Sequence, residues 1–151
     1  MSRHAESIHE ASAHWEGGLT DGKGEVTGST SGRLAGLPVT WDARTGHDYA
    51  LTSPEELLAA AHAACFAMAL SFELQGRKAS PRSLDVTAQV GFDPKVGGGY
   101  EVSFSELKVR ADVADISAAD FQEAVKQASE GCPISSALKG NVQISAEGEL
   151  V

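Results

Sequence analysis

The chain contains two cysteines, Cys65 and Cys132, the residue type best suited to nucleophilic or redox chemistry. Cys132 is followed by Pro133, which fits the first position of a helix. The Cys132 sulfur is therefore predicted to face backbone N–H groups, which favour the thiolate. Cys65 lies in an apolar segment, where a free cysteine commonly serves as a small core residue. The residues alone leave two interpretations open, a thiol–disulfide pair and a structural role.

Two other kinds of cysteine site are disfavoured by residue spacing. A zinc site would have three candidate ligands, Cys65, Cys132 and His62. Structural zinc takes four ligands, usually in CxxC or HxxxH pairs, and the sequence contains neither pair, so we predict no metal. A cysteine hydrolase would use His62 as its base, but His62 and Cys65 are three residues apart on one predicted helix. Their side chains then lie along that helix and do not meet across a cleft.

The segment that must position Cys65 is a long helix predicted from Ser53 to Gly76. Ser53 is a suitable N-cap and Pro54 a suitable first residue, while Gly76 is predicted to end the helix as its C-cap. The helix is apolar on nearly every side, which predicts that it is buried. Its strongly apolar part, residues 57–70, is shorter than the roughly 20 residues that a bilayer requires. We therefore predict a core helix and no membrane span.

Alternating apolar residues and glycine-rich turns predict strands on both sides of this helix. A phase change near Ser105 predicts a β-bulge within one long strand. A second helix is predicted between the N-cap Ser117 and Gly131, followed by a short helical turn that begins at Pro133. The predicted strands are 8–15, 26–31 and 34–41, then 84–92, 100–113 and 141–150. This order predicts a single α+β domain over 1–151, with mostly antiparallel sheets around a buried central helix.

The central helix also predicts a homodimer, and the composition limits other partners. One small sheet and one amphipathic helix cover only part of a helix that is apolar all round, so a second copy is expected to cover the rest. The formal net charge is −9 and the acidic residues are scattered, which argues against nucleic acid or an anionic membrane as a partner. No apolar signal segment begins the chain, and we expect it in the cytoplasm.

Two segments, PEELLAAAHAACFAMALS and GCPISSAL, strongly resemble the OsmC/Ohr family of osmotically inducible and organic hydroperoxide resistance proteins. The resemblance extends over nearly the whole chain. It implies an intertwined α+β homodimer with two active sites at the subunit interface. It also implies a thiol peroxidase that acts in oxidative and osmotic stress, reduces organic hydroperoxides better than hydrogen peroxide, and uses no metal or organic cofactor.

The resemblance also implies roles for individual residues. Cys65 matches the peroxidatic cysteine and Cys132 the resolving cysteine, while Glu55 matches a glutamate that orients a catalytic arginine. The Ohr branch carries this arginine in the N-terminal glycine-rich hairpin, where the present chain has only Lys23. The OsmC branch places it shortly before the central helix, at a position that matches Arg44. Together with the spelling AAHAAC, this assigns the chain to the OsmC branch.

The chemistry fits these residues. A buried thiol requires a nearby cation to ionise, and the Arg44 guanidinium, held by Glu55, would supply it. The sulfenic acid formed on Cys65 would condense with Cys132 to a disulfide, which a dithiol or lipoyl-type reductant would reduce. The alternative is a non-catalytic stress or small-molecule-binding protein of the same fold.

Helix geometry predicts that the site is shared between subunits. Glu55 and Cys65 are ten residues apart, which corresponds to about 15 Å along a continuous helix. Glu55 therefore cannot hold an arginine against the Cys65 sulfur of its own chain. Two central helices packed antiparallel would bring Glu55 of one chain toward Cys65 of the other.

Overall fold

The computed structural model describes residues 4–151 and divides into two compact units, one ending at Pro54 and one running from Glu55 to Val151. The first unit is an antiparallel sheet in the order β1-β2-β3, which confirms the predicted meander. It ends in the short helix α1. Its elements are β1 (Ala11–Glu16), β2 (Lys23–Ser29), β3 (Leu37–Val39) and α1 (Trp41–Arg44). That a single domain spans 1–151 stays a prediction.

The third strand is shorter than predicted, because the chain turns into α1 at Thr40. The Thr40 hydroxyl accepts a hydrogen bond from the Ala43 N–H at 3.1 Å, which makes Thr40 the N-cap of α1. Trp41 is therefore the first residue of a helix and not the last residue of a strand. The alternation from Leu37 to Trp41 predicted a strand through Trp41, because an alternating pattern does not show where a capping residue ends the strand.

The second unit contains the long helix and a mixed three-stranded sheet in the order β4-β5-β6. Strands β4 and β5 are antiparallel, whereas β6 pairs with β5 in parallel after the chain has passed through two helices. The elements are α2 (Pro54–Gly76), β4 (Ser80–Pro94), β5 (Tyr100–Ala114), α3 (Ala118–Gly131), α4 (Pro133–Leu138) and β6 (Gln143–Leu150). The α+β class is confirmed, and β5–β6 is the exception to antiparallel pairing.

The predicted β-bulge lies in β5 and sets the face of every later residue in that strand. Two residues of β5, 103–104, oppose the single residue Gly91, just beyond the pair Val90–Ser105. Gly91 leaves room for the Phe104 ring, which a Cβ at position 91 would strike. Beyond the bulge the inward-facing residues are buried, and they are Ser105, Leu107, Val109 and Ala111.

Helix α2 ends differently from the sequence prediction. Gly76 belongs to its last turn, and the residue with left-handed backbone is Lys78, with a φ of 61°. The Lys78 N–H bonds to the Gln75 carbonyl and the Ala79 N–H to the Leu74 carbonyl, each at 3.0 Å, which is a Schellman motif. Leu74 and Ala79 are both buried in one core cluster, so packing places the helix end beyond the glycine.

The chain by itself buries one side of α2, as expected for a helix whose remaining cover was predicted to come from a second copy; that cover stays a prediction. Its main buried residues follow one stripe at a spacing of four, while Met68 and Phe72 are 72% and 75% exposed. Among the described helices, α2 has the length and composition that a membrane span requires, and 22% of its most apolar window is buried. The length argument made from residues 57–70 therefore does not apply to the whole helix. The stripe that packs against β5 and α3 is His62, Phe66, Leu70 and Leu74.

Candidate active site

The two cysteines are brought together, although they are 67 residues apart in the sequence. The Cys65 and Cys132 sulfurs lie 3.0 Å apart, and both thiols are free. Cys65 is half-buried near the middle of α2. Cys132 is fully buried at the junction of α3 and α4. Its N–H bonds to the Ala128 carbonyl at the end of α3, and Pro133 begins α4. A disulfide bond of about 2.05 Å requires the sulfurs to approach by about 1 Å.

The surroundings of the two thiols shift their pKa values in opposite directions. Burial raises the pKa of Cys65, and its hydrogen bond with Cys132 raises it further. Burial also acts to raise the pKa of Cys132, but contacts with the Cys65 thiol, with the Ser135 N–H and hydroxyl and with the Ile134 N–H outweigh it and lower the pKa. The Cys132 thiol donates to Cys65 when both are protonated, and the direction reverses once Cys132 ionises. These contacts favour the thiolate form of Cys132 over that of Cys65.

His62 is fully buried one turn before Cys65 and connects α2 to two other elements. Its Nδ1 lies 2.6 Å from the Ser105 hydroxyl oxygen, and its Nε2 lies 2.7 Å from the Ser135 hydroxyl oxygen. Burial lowers the pKa of the imidazole, so the ring is neutral. Both ring nitrogens are occupied by serine hydroxyls, which argues against His62 as a ligand beside the cysteines. Within residues 4–151, no three His, Cys, Asp or Glu side chains cluster as a metal site.

Ser105 and Ser135 are site residues that the sequence reasoning missed. Ser105 lies directly after the bulge and is the polar residue among the buried, inward-facing residues of β5. Ser135 follows Cys132 by three residues, the spacing at which a first-turn side chain of a helix reaches back to its N-cap. Two sequence signals point to these residues. Ser105 is a polar residue at an apolar position of its strand, and Ser135 stands three residues after the capping Cys132.

The remaining predicted residues lie apart from the cysteine pair or in the other unit. Glu55 is buried in the first turn of α2, and a buried carboxylate requires polar partners. Helix α2 is continuous from Pro54 to Gly76, so Glu55 lies about 15 Å from Cys65 along the axis. Arg44 is the last residue of α1, in the unit that ends at Pro54. The structure thus joins the two cysteines and does not bring Glu55 to Cys65 within one chain.

The apolar residues next to Cys65 in sequence have different positions. Phe66 and Leu70 are fully buried in the core, so they are not available to bind a substrate. Met68 and Phe72 are exposed. At about 100° per residue, their side chains lie about 60° and 20° from Cys65 around the helix axis. Cys65 therefore lies at the edge of an exposed apolar face of α2.

Comparison with known proteins gives consistent matches. The family model described as OsmC-like protein matches residues 46–147. The chain is 40% identical to peroxiredoxin OsmC of Escherichia coli, over 91% of this chain and 95% of that protein. It is 28% identical to the organic hydroperoxide resistance protein of Xanthomonas axonopodis pv. citri, over 80% and 87% of the two chains. The crystal structure of OhrB from Bacillus subtilis superposes with a TM-score of 0.70 at 29% identity, covering 93% of this chain and 98% of OhrB.

Proposed function

The chain belongs to the OsmC family, and we propose that it is a thiol-dependent peroxidase that reduces organic hydroperoxides through Cys65 and Cys132. The observation that carries this proposal is the 3.0 Å separation of the two free sulfurs. A buried cysteine with only a packing role does not require a second thiol at hydrogen-bond distance from its sulfur.

The reaction would proceed in two steps on the two sulfurs. The Cys65 thiolate attacks one oxygen of ROOH, the O–O bond breaks, and the alkoxide leaves and takes up a proton to become ROH. Cys65 is then a sulfenic acid. The Cys132 thiolate attacks the Cys65 sulfur, hydroxide leaves as water after protonation, and a disulfide forms. Two thiols and ROOH thus give a disulfide, ROH and water, and a dithiol or lipoyl-type reductant restores the thiols by exchange.

The raised pKa of Cys65 creates a need for a cation during the first step. The Arg44 guanidinium would stabilise both the attacking thiolate and the departing alkoxide, because it stays protonated and offers several donors. Glu55 would hold the guanidinium by a paired hydrogen bond. Because Glu55 lies about 15 Å from Cys65 along α2, we propose that Glu55, and with it Arg44, acts in the site of a neighbouring subunit.

A homodimer supplies that neighbour and covers the exposed face of α2. The exposed Met68 and Phe72 make this face apolar, and a second α2 packed antiparallel would remove them from water. The same packing would carry Glu55 of one chain toward Cys65 of the other. Such a dimer accounts for the apolar face of a 23-residue helix without a bilayer, and we assign the protein to the cytoplasm.

The direct test is consumption of cumene hydroperoxide by the purified protein with dithiothreitol as reductant. We expect turnover that exceeds the rate without protein and disappears when both thiols are first alkylated. A protein that binds the hydroperoxide without consuming it would instead be a non-catalytic binding protein of this fold, and the proposed peroxidase function would be wrong.

A further inference from the structure

His62 is a buried, titratable side chain to which the two-cysteine reaction assigns no role. It is fully buried, and it connects α2 to β5 through Ser105 and to α4 through Ser135. Both contacts are short, at 2.6 and 2.7 Å, so both ring nitrogens are engaged. A buried imidazole requires a hydrogen-bond partner for each ring nitrogen, and the two serine hydroxyls supply them.

The chain of contacts continues from Ser135 to a reactive sulfur. Ser135 is the third residue of α4, the position from which a side chain reaches back toward the N-cap residue, here Cys132, and its hydroxyl lowers the pKa of Cys132. A hydroxyl has one proton, so if Ser135 donates to the Cys132 thiolate, its oxygen must accept a hydrogen bond from another group. The group in position is the Nε2–H of His62.

This direction determines the state of the whole chain of hydrogen bonds. A neutral imidazole with its proton on Nε2 has a bare Nδ1, which can only accept. The Ser105 hydroxyl must then donate to Nδ1. The resulting order is Ser105 O–H to His62, His62 Nε2–H to Ser135, and Ser135 O–H to the Cys132 sulfur. Every donor and acceptor along this path is satisfied.

We propose that His62, held in one tautomer by Ser105, is a positioning residue that keeps the Ser135 hydroxyl aimed at the Cys132 sulfur. The relay stabilises negative charge on the resolving cysteine and so prepares it to attack the oxidised Cys65. In this form the inference rests on the proposed peroxidase function, but the hydrogen-bond relay itself is a property of the reduced protein and is measurable without any peroxide.

The first experiment titrates Cys132 in a Cys65→Ser background, where Cys132 is the single thiol and the serine hydroxyl can replace the donor of Cys65. The rate of iodoacetamide alkylation is followed against pH. Adding Ser135→Ala should raise the pKa of Cys132 and slow alkylation near neutral pH on the order of tenfold, because a hydrogen bond to a charged sulfur is lost. Adding His62→Phe should change the rate in the same direction. The matched control is Ser136→Ala, at the exposed neighbouring serine of α4, and it should leave the titration unchanged.

The second experiment reads the tautomer of His62 by ¹⁵N NMR in the reduced wild-type protein. We expect a protonated Nε2 and an unprotonated Nδ1, and Ser105→Ala should give a mixture of tautomers. A proton on Nδ1 in the reduced protein, or an unchanged Cys132 titration in Ser135→Ala, would overturn the relay. If His62→Phe fails to fold, Ser135→Ala and the tautomer measurement still decide the question. Failure of cumene hydroperoxide consumption would count against the peroxidase alone.

Discussion

The sulfur of Cys132 lies 3.0 Å from the sulfur of Cys65, and the contacts of Cys132 lower its pKa whereas burial raises the pKa of Cys65. The residue assigned as the attacking nucleophile, Cys65, is thus the one with the raised pKa. A cation must therefore reach Cys65 before it attacks a peroxide, and Arg44 is the residue proposed to supply it.

Replacing the attacking sulfur should remove the activity and leave the fold. Cys65→Ser loses the nucleophile with little change in volume, so we expect peroxide consumption to fall to the rate without protein. The measurement is a cumene hydroperoxide assay with dithiothreitol, with circular dichroism as the check on folding. More than a small residual rate would place the chemistry on another residue.

Replacing the resolving sulfur should stop the reaction after its first step. Cys132→Ser leaves Cys65 as a sulfenic acid that cannot condense within the chain, and excess peroxide should oxidise it further to sulfinic acid. Mass spectrometry of the variant should detect both oxidised forms on Cys65. In peroxide-treated wild-type protein it should detect a Cys65–Cys132 disulfide, and the absence of that link would remove Cys132 from the mechanism.

Organic hydroperoxides should be better substrates than hydrogen peroxide. Met68 and Phe72 lie on the same side of α2 as Cys65, on the face where the proposed dimer would enclose the site with apolar side chains. Apolar contact contributes roughly 25 cal/mol for each Å² of substrate surface that is buried. Hydrogen peroxide has no such surface. We expect a higher kcat/KM for cumene hydroperoxide in a steady-state comparison, and equal values would argue against an apolar substrate site.

Subunit mixing tests whether Glu55 acts across the dimer. Cys65→Ser and Glu55→Ala homodimers, each expected to be inactive, are unfolded together and refolded. Half of the resulting dimers would be mixed, and each would contain one site with an intact Cys65 from one chain and Glu55 from the other. Recovery of about a quarter of wild-type activity is expected. If native mass spectrometry detects mixed dimers but no activity returns, each site is built within one chain.

Two glycines should respond oppositely to alanine. Gly91→Ala places a methyl group against the Phe104 ring at the bulge, and we expect a loss of about 1–3 kcal/mol in the free energy of unfolding. Gly76→Ala meets open space inside the last turn of α2, so we expect no loss and a gain of up to about 1 kcal/mol. Thermal or urea denaturation measures both. A destabilised Gly76→Ala variant would restore Gly76 as the helix C-cap.

The sequence by itself determined the features that depend on neighbouring residues. The capping residue Ser117, the proline after Cys132 and the phase change near Ser105 are local signals, and α3, α4 and the bulge lie where those signals predict. The segments around both cysteines were also sufficient to indicate the family. These predictions hold because capping, proline geometry and strand alternation involve residues only a few positions apart.

Tertiary structure decided what depends on distant residues. The end of α2 passes Gly76 because Ala79 packs on Leu74 in the core. Only the packed stripe shows which side of α2 is covered and which, at Met68 and Phe72, still faces solvent. His62 meets serines 43 and 73 residues further along the chain, and no periodicity specifies such a meeting. A helix pattern records how a residue is placed on its own helix, whereas the partner of a buried polar group is set by the element that packs against it.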